Sequence, residues 1–136
     1  MQGDRIINAH YFECENIQGT ELESLVGFYD GQDPYGMDII LLKLKGVELW
    51  QRFFLDAGIG FWENYDQVSA FEDYEDLIPI NIADKYSLKG LCLQHISCIG
   101  NNKELSIISF KVGKSNFILM HKDTKNIESE TIFKKL

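Results

Sequence analysis

Three histidines and three cysteines are the residues whose types could hold a metal ion or supply a nucleophile. His10 and Cys14 lie four positions apart, and Cys92, His95 and Cys98 are spaced at i, i+3 and i+6. Zinc sites usually place their ligands in C-x₂-C or H-E-x-x-H patterns, and neither occurs in the chain. The sequence therefore predicts no metal site and no cofactor. It indicates reduced, mostly buried thiols and hydrogen-bonded imidazoles instead.

Motifs for covalent or phosphate chemistry are also missing. A cysteine nucleophile needs a neighbouring base and a lowered pKa, and sequence spacing can show neither. No G-x-S-x-G elbow occurs, and Gly58-Ile59-Gly60 lacks the remaining residues of a phosphate-binding loop. Residues 30–33 (DGQD) do not follow the order of calcium ligands, so a turn is the better interpretation there. We therefore expect a binding protein and not an enzyme.

The most distinctive stretch runs from residue 53 to residue 84. It holds eight carboxylates and no lysine or arginine, and aromatic rings are interleaved with the acids. The rest of the chain has 13 acidic and 13 basic residues, so this stretch equals the whole formal charge of −8. Such a surface repels nucleic acid and anionic membranes but attracts a basic protein. One alternative is a solvated loop whose charge only aids solubility. Another is that the aromatic side chains pack inward on the strand face while the acids face water.

We interpret this acidic stretch as a partner-binding surface. Carboxylates would steer a basic partner toward it, and aromatic side chains would then hold the partner in place. The predicted steering residues are Asp66, Glu72, Asp73, Glu75 and Asp76. The predicted anchors are Trp62, Tyr65 and Tyr74, and Glu63 completes the predicted contact set.

Turn residues divide the chain into short apolar runs that predict the elements carrying these side chains. Strands are expected over residues 5–14, 21–30, 37–45, 47–55, 91–99, 104–112 and 117–122, with a last edge strand near 132–133. The run 37–45 (MDIILLKLK) is continuously apolar at one end, which is typical of a strand buried on both faces.

Glycine, asparagine and proline predict the connections between these runs. Residues 31–36 (GQDPYG) have turn chemistry, and the separators GNNK and GKSN predict hairpins in the final third. Gly58 and Gly60 indicate a bend before Phe61, and Asn81 predicts the cap of a brief helix through Tyr86. The expected fold is α+β and β-rich, a mostly antiparallel curved sheet or sandwich with minor helix, in one domain spanning residues 1–136.

Residues 52–58 (RFFLDAG), followed by 61–63 (FWE), resemble the small acidic bacterial immunity proteins. These are the cytosolic antitoxins of polymorphic and contact-dependent growth-inhibition toxin systems, and the likeness covers about residues 47–99. The resemblance implies binding to the C-terminal domain of a cognate toxin, often a basic nuclease, whose active site or substrate groove is then blocked. It carries over no residue roles.

A cytoplasmic location is expected on two grounds. The first five residues lack the layout of a secretory signal, and no apolar run approaches the roughly 20 residues of a membrane-spanning helix. Two alternative functions stay open. One is a small-ligand-binding or enzymatic β domain, in which His10, His95 or Cys92 would converge in a pocket. The other is a phage-derived structural or assembly component that associates through an edge strand.

Overall fold

The computed structural model describes residues 4–29, 36–71, 74 and 76–136, which form two antiparallel sheets packed face to face. The first sheet has six strands, in the order β1 (Asp4–Ala9), β6 (Ile59–Tyr65), β5 (Trp50–Asp56), β4 (Ile39–Leu44), β3 (Leu22–Tyr29) and β7 (Ile78–Asn81). The second has five, in the order β11 (Thr131–Lys135), β10 (Ser115–His121), β9 (Ile107–Val112), β8 (Leu93–Ile99) and β2 (Phe12–Glu13). The expected β-rich, mostly antiparallel fold is confirmed, in its sandwich form.

Helical structure is minor, as predicted. It consists of α1 (Gln67–Ala70), α2 (Ile82–Lys85) and a 3₁₀ turn at Glu15–Ile17. The predicted cap of α2 is confirmed, because the Asn81 side chain accepts a hydrogen bond from the backbone N–H of Asp84 at 3.0 Å. None of the helices in the described ranges is long and apolar enough to cross a membrane.

The predicted strand 5–14 is two strands that belong to different sheets. β1 pairs with β6 at the edge of the first sheet, whereas β2 pairs with β8 in the second. The chain passes from the first sheet to the second at His10 and Tyr11. The apolar residues of this stretch therefore do not all alternate with the same period-2 pattern. The predicted turn at 31–36 lies outside the described residues except for Gly36, which bridges to Ile132 of β11.

A hairpin with a two-residue loop joins β5 to β6. The bend predicted at Gly58 and Gly60 therefore includes Gly58 but not Gly60. Ala57 and Gly58 form the loop with φ of 52° and 77°, the positive values that a tight hairpin turn requires. Gly60 is instead inside β6, opposite Leu55. A Cβ at Gly60 would lie 2.4 Å from Cys98 Sγ, so its lack of a side chain lets the second sheet approach closely.

The main core lies between the sheets, and a second, smaller core lies on the outer face of the first sheet. Ile40, Leu42 and Leu44 of β4 point into the main core, while Leu41, which is also fully buried, belongs to the second. The prediction that this strand is buried on both faces is therefore confirmed. The covering layer of the outer face comes from residues 66–77.

Residues 66–77 form what we call the crossover. They connect β6 to β7, which lie on opposite sides of β5, β4 and β3 in the first sheet. Ala70 and Tyr74 of the crossover pack with Phe28, Leu41 and Trp50 on the outer face. The described residues of the segment therefore cover part of that face. Of the acids in this segment, the described Asp66 and Asp76 lie outside the sandwich.

Candidate functional site

Trp62, a predicted anchor, is a core residue. Its side chain is 5% exposed because it points from β6 toward the second sheet, where its ring stacks between Phe12 and Phe53 with centroids 6.3 and 6.1 Å away. The indole N–H donates to Gln51 Oε1 at 2.7 Å, which satisfies the buried donor. The expectation of an exposed anchor is wrong here, and only part of the side chain borders a surface cavity described below.

Glu63, Tyr65 and Tyr74 converge on Arg52 on the outer face of the first sheet, and we call these four residues the Arg52 cluster. Arg52 Nε donates to Glu63 Oε1 at 3.0 Å, and its terminal nitrogens donate to the same carboxylate oxygen and to both tyrosine hydroxyls. The Tyr65 hydroxyl donates to Glu63 Oε1 at 2.9 Å. The guanidinium carbon lies 4.3 Å from the centre of the Tyr65 ring, a cation–π distance.

Burial and charge balance in the Arg52 cluster remove Glu63 and Tyr74 from the exposed surface. Glu63 is 3% exposed and Tyr74 is 8% exposed. Burial alone would lower the pKa of Arg52, but hydrogen bonds to Glu63 and Tyr74 outweigh it and raise that pKa. Burial, followed by the hydrogen bond to Glu63, raises the pKa of Tyr65. The Glu63 carboxylate is therefore neutralised by Arg52 and does not serve as an exposed contact.

The described acids of the stretch do not form one patch. Asp56 ends β5 at the hairpin tip, whereas Asp66 follows the other end of β6, roughly 20 Å away at about 3.3 Å per strand residue. Asp84 lies in α2, where it bonds to the Asn81 side chain at 3.0 Å. Asp66 and the exposed Asp76 lie at the two ends of the crossover. The candidate negative surface is therefore confined to the crossover, and its predicted members Glu72, Asp73 and Glu75 lie outside the described residues.

Asp66 has a local structural role as well as a charge. Its Oδ1 accepts the backbone N–H of Ser69 at 2.8 Å and so caps α1. That bond is the main reason why the pKa of Asp66 is lowered to about 2. The carboxylate is therefore charged at every pH at which a partner would be met.

A cavity of about 430 Å³, which we call the end cavity, opens beside the start of the crossover. It is lined by Ile6, Asn16, Ile17, Gly46, Val47, Glu48, Leu49, Gln51, Trp62 and Asn64. Asn64 is two residues before Asp66, so the wall of the cavity leads directly into the acidic segment. The end cavity and the crossover therefore adjoin along the chain at the end of β6, the cavity on the inner side of the first sheet and the crossover on its outer face.

The polar groups of the end cavity are suited to a cation. Gln51 is satisfied, since its Nε2 donates to the carbonyl of Leu49 at 3.0 Å and its Oε1 accepts from Trp62. Asn64 Oδ1, in contrast, is buried and has no hydrogen-bond partner among the described residues. Glu48 adds a carboxylate, and no lysine or arginine is among the described residues of the lining. An ammonium or guanidinium group would supply the donors that these oxygens lack.

Asn64, Glu48 and Gln51 were not predicted as site residues. One signal could have identified Asn64: a two-residue loop at Ala57-Gly58 fixes the register in which Gln51 faces Asn64 and Trp62 faces Phe53. The position of Glu48 depends on the β4–β5 turn and on the approach of β1 and the 3₁₀ turn, which no local pattern in the sequence predicts.

The cysteines and histidines do not converge on a site. Among the described residues, no three histidine, cysteine or acidic side chains are grouped to hold a metal ion. Cys14, Cys92 and Cys98 are free thiols, and the first and last are buried. His95 Nδ1 bonds to Gln18 Nε2 at 2.9 Å at the surface, while His10 lies near Cys98. None of His10, His95 and Cys92, the residues named for the ligand-binding alternative, lines the end cavity.

The buried thiols are expected to resist alkylation. Burial raises the pKa of Cys14, and it is also the largest cause of the raised pKa of Cys98. Each unit by which a thiol pKa rises leaves about tenfold less thiolate at a given pH. Iodoacetamide treatment of the native protein, followed by peptide mass spectrometry, should modify Cys92 at least about tenfold faster than either. Denaturant should equalise the three rates. Fast native labelling of Cys14 would contradict its burial.

Comparison of the chain with protein-family models, with curated proteins and with solved structures found no match in any of the three.

Proposed function

We propose that the chain is an immunity-type protein that binds and neutralises a basic toxin domain, a nuclease being the best fit. The docking surface consists of the crossover and the end cavity. The observation that carries the proposal is their juxtaposition: an acid-rich segment without any cation begins two residues from a cavity whose buried Asn64 Oδ1 has no partner among the described residues.

Charge supports a basic protein as the partner. An enzyme that cleaves nucleic acid presents lysine and arginine to phosphates, and a carboxylate-rich protein can occupy that groove in place of the nucleic acid. Opposite charge also raises the association rate, which suits a protein that must capture a toxin quickly. The crossover, residues 66–77, holds five of the acids and no lysine or arginine, so this attraction is concentrated in one segment.

The end cavity supports a specific contact in addition to the general attraction. Its volume of about 430 Å³ is sufficient for one long cationic side chain of the partner. The aliphatic stem would contact Val47, Leu49 and Ile6, and the charged end would donate to Asn64 Oδ1 and to the Glu48 carboxylate. A lysine or arginine seated in this way would be a central anchor of the interface.

The proposal is tested by co-expression with the toxin domain encoded directly upstream, because an immunity gene normally lies directly downstream of the C-terminal domain of its toxin. The toxin alone should arrest growth, and the wild-type chain should restore it. Glu48→Lys places a cation at the mouth of the cavity and should weaken binding by at least about tenfold, because like charges repel at close range. The matched control Glu128→Lys, at an exposed site remote from the cavity, should bind as the wild type does.

Failure of the well-expressed wild-type chain to protect the cell or to bind the purified toxin domain would contradict the proposed function. Protection by the wild type together with full binding by Glu48→Lys would leave the function in place and remove the end cavity from the docking surface.

A further inference from the structure

A second cavity, of about 330 Å³, lies at the opposite end of the β5–β6 hairpin. It is bordered by the loop before β9 and by the end of β10. The neighbouring hairpin tip is fixed to it, since the backbone N–H of Ser106 donates to the carbonyl of Gly58 at 2.9 Å. We call it the tip cavity, and its lining differs from that of the end cavity both in charge and in its buried polar group.

His121 lines the tip cavity, and one of its ring nitrogens is without a partner among the described residues. The residue is 3% exposed, and its Nδ1 lies 3.1 Å from the carbonyl oxygen of Ser129. Because a carbonyl only accepts, Nδ1 donates this bond, and in the tautomer with a single proton Nε2 keeps a lone pair. Nε2 is buried and has no hydrogen-bond partner among the described residues. A buried acceptor without a donor is unfavourable, so the ring is prepared for a ligand that supplies one.

The other lining residues define the rest of such a ligand. Leu105, Ile107 and Met120 provide apolar wall, and Lys103 and Lys125 provide two ammonium groups against the single carboxylate of Glu104. In the described part of the chain neither lysine side chain forms an ion pair. A positive rim on a protein with a net charge of −8 favours an anion at this position.

We propose that the tip cavity binds a small organic anion with an apolar body, whose carboxylate pairs with Lys103 and Lys125 and whose hydroxyl donates to His121 Nε2. The apolar body packs against Leu105, Ile107 and Met120. A cavity of this volume is at the lower end of those that hold small molecules, so the ligand has the size of a single substituted ring. The site is independent of the docking surface, and either can be correct without the other.

The test is a titration of the ¹⁵N-labelled full chain, followed by NMR, with 3-hydroxybenzoate, 4-hydroxybenzoate and 4-hydroxyphenylacetate. These probes vary the span between carboxylate and hydroxyl. At least one should shift the signals of residues 103–107 and 120–125 in a saturable manner. It should also move the His121 Nε2 resonance in the direction of an accepted hydrogen bond. Benzoate and 4-hydroxybenzyl alcohol, which each lack one group, should bind at least about fivefold more weakly.

Substitutions of exposed lysines test the site without disturbing the folded core. The double substitution Lys103→Gln, Lys125→Gln should weaken binding by at least about fivefold, since it removes both cations. Lys111→Gln, Lys114→Gln removes the same charge from exposed positions that do not line the cavity and should leave affinity unchanged. The proposal is overturned if no probe shifts these signals at 10 mM, if benzoate binds as well as the hydroxylated probes, or if the two double variants behave alike.

Discussion

Replacement of Arg52 by leucine is expected to lower the free energy of unfolding by about 3 kcal/mol. The change leaves Glu63, which is 4% exposed in its side chain, as a buried carboxylate without its cation. Breaking a buried ion pair typically costs about 3–5 kcal/mol, and the lower end applies because the Arg52 side chain keeps 19% of its exposure. Urea unfolding of both proteins, compared at constant m-value, measures the loss.

A double variant separates charge from packing in this prediction. Arg52→Leu with Glu63→Leu removes both charges, and it should recover most of the lost stability, because an apolar pair of similar volume is often neutral on balance. Tyr74→Phe, which deletes only one hydroxyl that bonds to Arg52, should cost about 1 kcal/mol. A loss below about 1 kcal/mol for Arg52→Leu would contradict the buried, paired state of Glu63.

Much of the fold could be predicted because its signals are local. The apolar run around Leu41 predicts burial on both faces, and Asn81 predicts a helix cap, since each depends only on neighbouring residues. Gly113 begins the two-residue loop between β9 and β10 with a φ of 57°, as the glycine in that hairpin signal requires. The final edge strand follows from an isolated apolar pair, Ile132 and Phe133.

The candidate site was harder to predict because it depends on contacts that are distant in sequence. Strand β6 carries aromatic and polar residues on both parities, so the pattern does not reveal that Trp62 points inward while Glu63 points outward. Only the pairing register of β6 with β5 decides which of these two side chains points into the core. The burial of Tyr74 follows from the path of the crossover over three strands, which no local propensity encodes.

The count of charges along the sequence also failed to predict one ion pair of the site. Counting charges from residue 53 onward leaves out Arg52, which pairs with Glu63 across the hairpin. One acid of the stretch is thereby neutralised by the residue just outside it. A register argument from the two-residue loop at Ala57-Gly58 would have identified the pair, whereas a count of residues along the chain does not.

Neutralisation of the crossover acids is expected to slow association with the toxin domain by at least about tenfold at low salt. The variant carries Asp66→Asn, Glu72→Gln, Asp73→Asn, Glu75→Gln and Asp76→Asn. Asparagine at position 66 keeps an oxygen that can cap α1, so the effect reports charge and not helix loss. The reduction should shrink as salt is added, because screening weakens steering in the wild type itself. Stopped-flow fluorescence at several salt concentrations gives the rates.

The most direct measurement of the docking surface is the low-salt association rate of this variant beside a control with the same net charge. The control carries Glu13→Gln, Glu104→Gln, Asp123→Asn, Glu128→Gln and Glu130→Gln, all exposed and none in the crossover or the end cavity. We predict that the crossover variant associates at least about tenfold more slowly than the wild type. The association rate of the control should lie within about threefold of the wild-type rate. Equal rates for the two variants, whether both fast or both slow, would contradict a docking surface at the crossover.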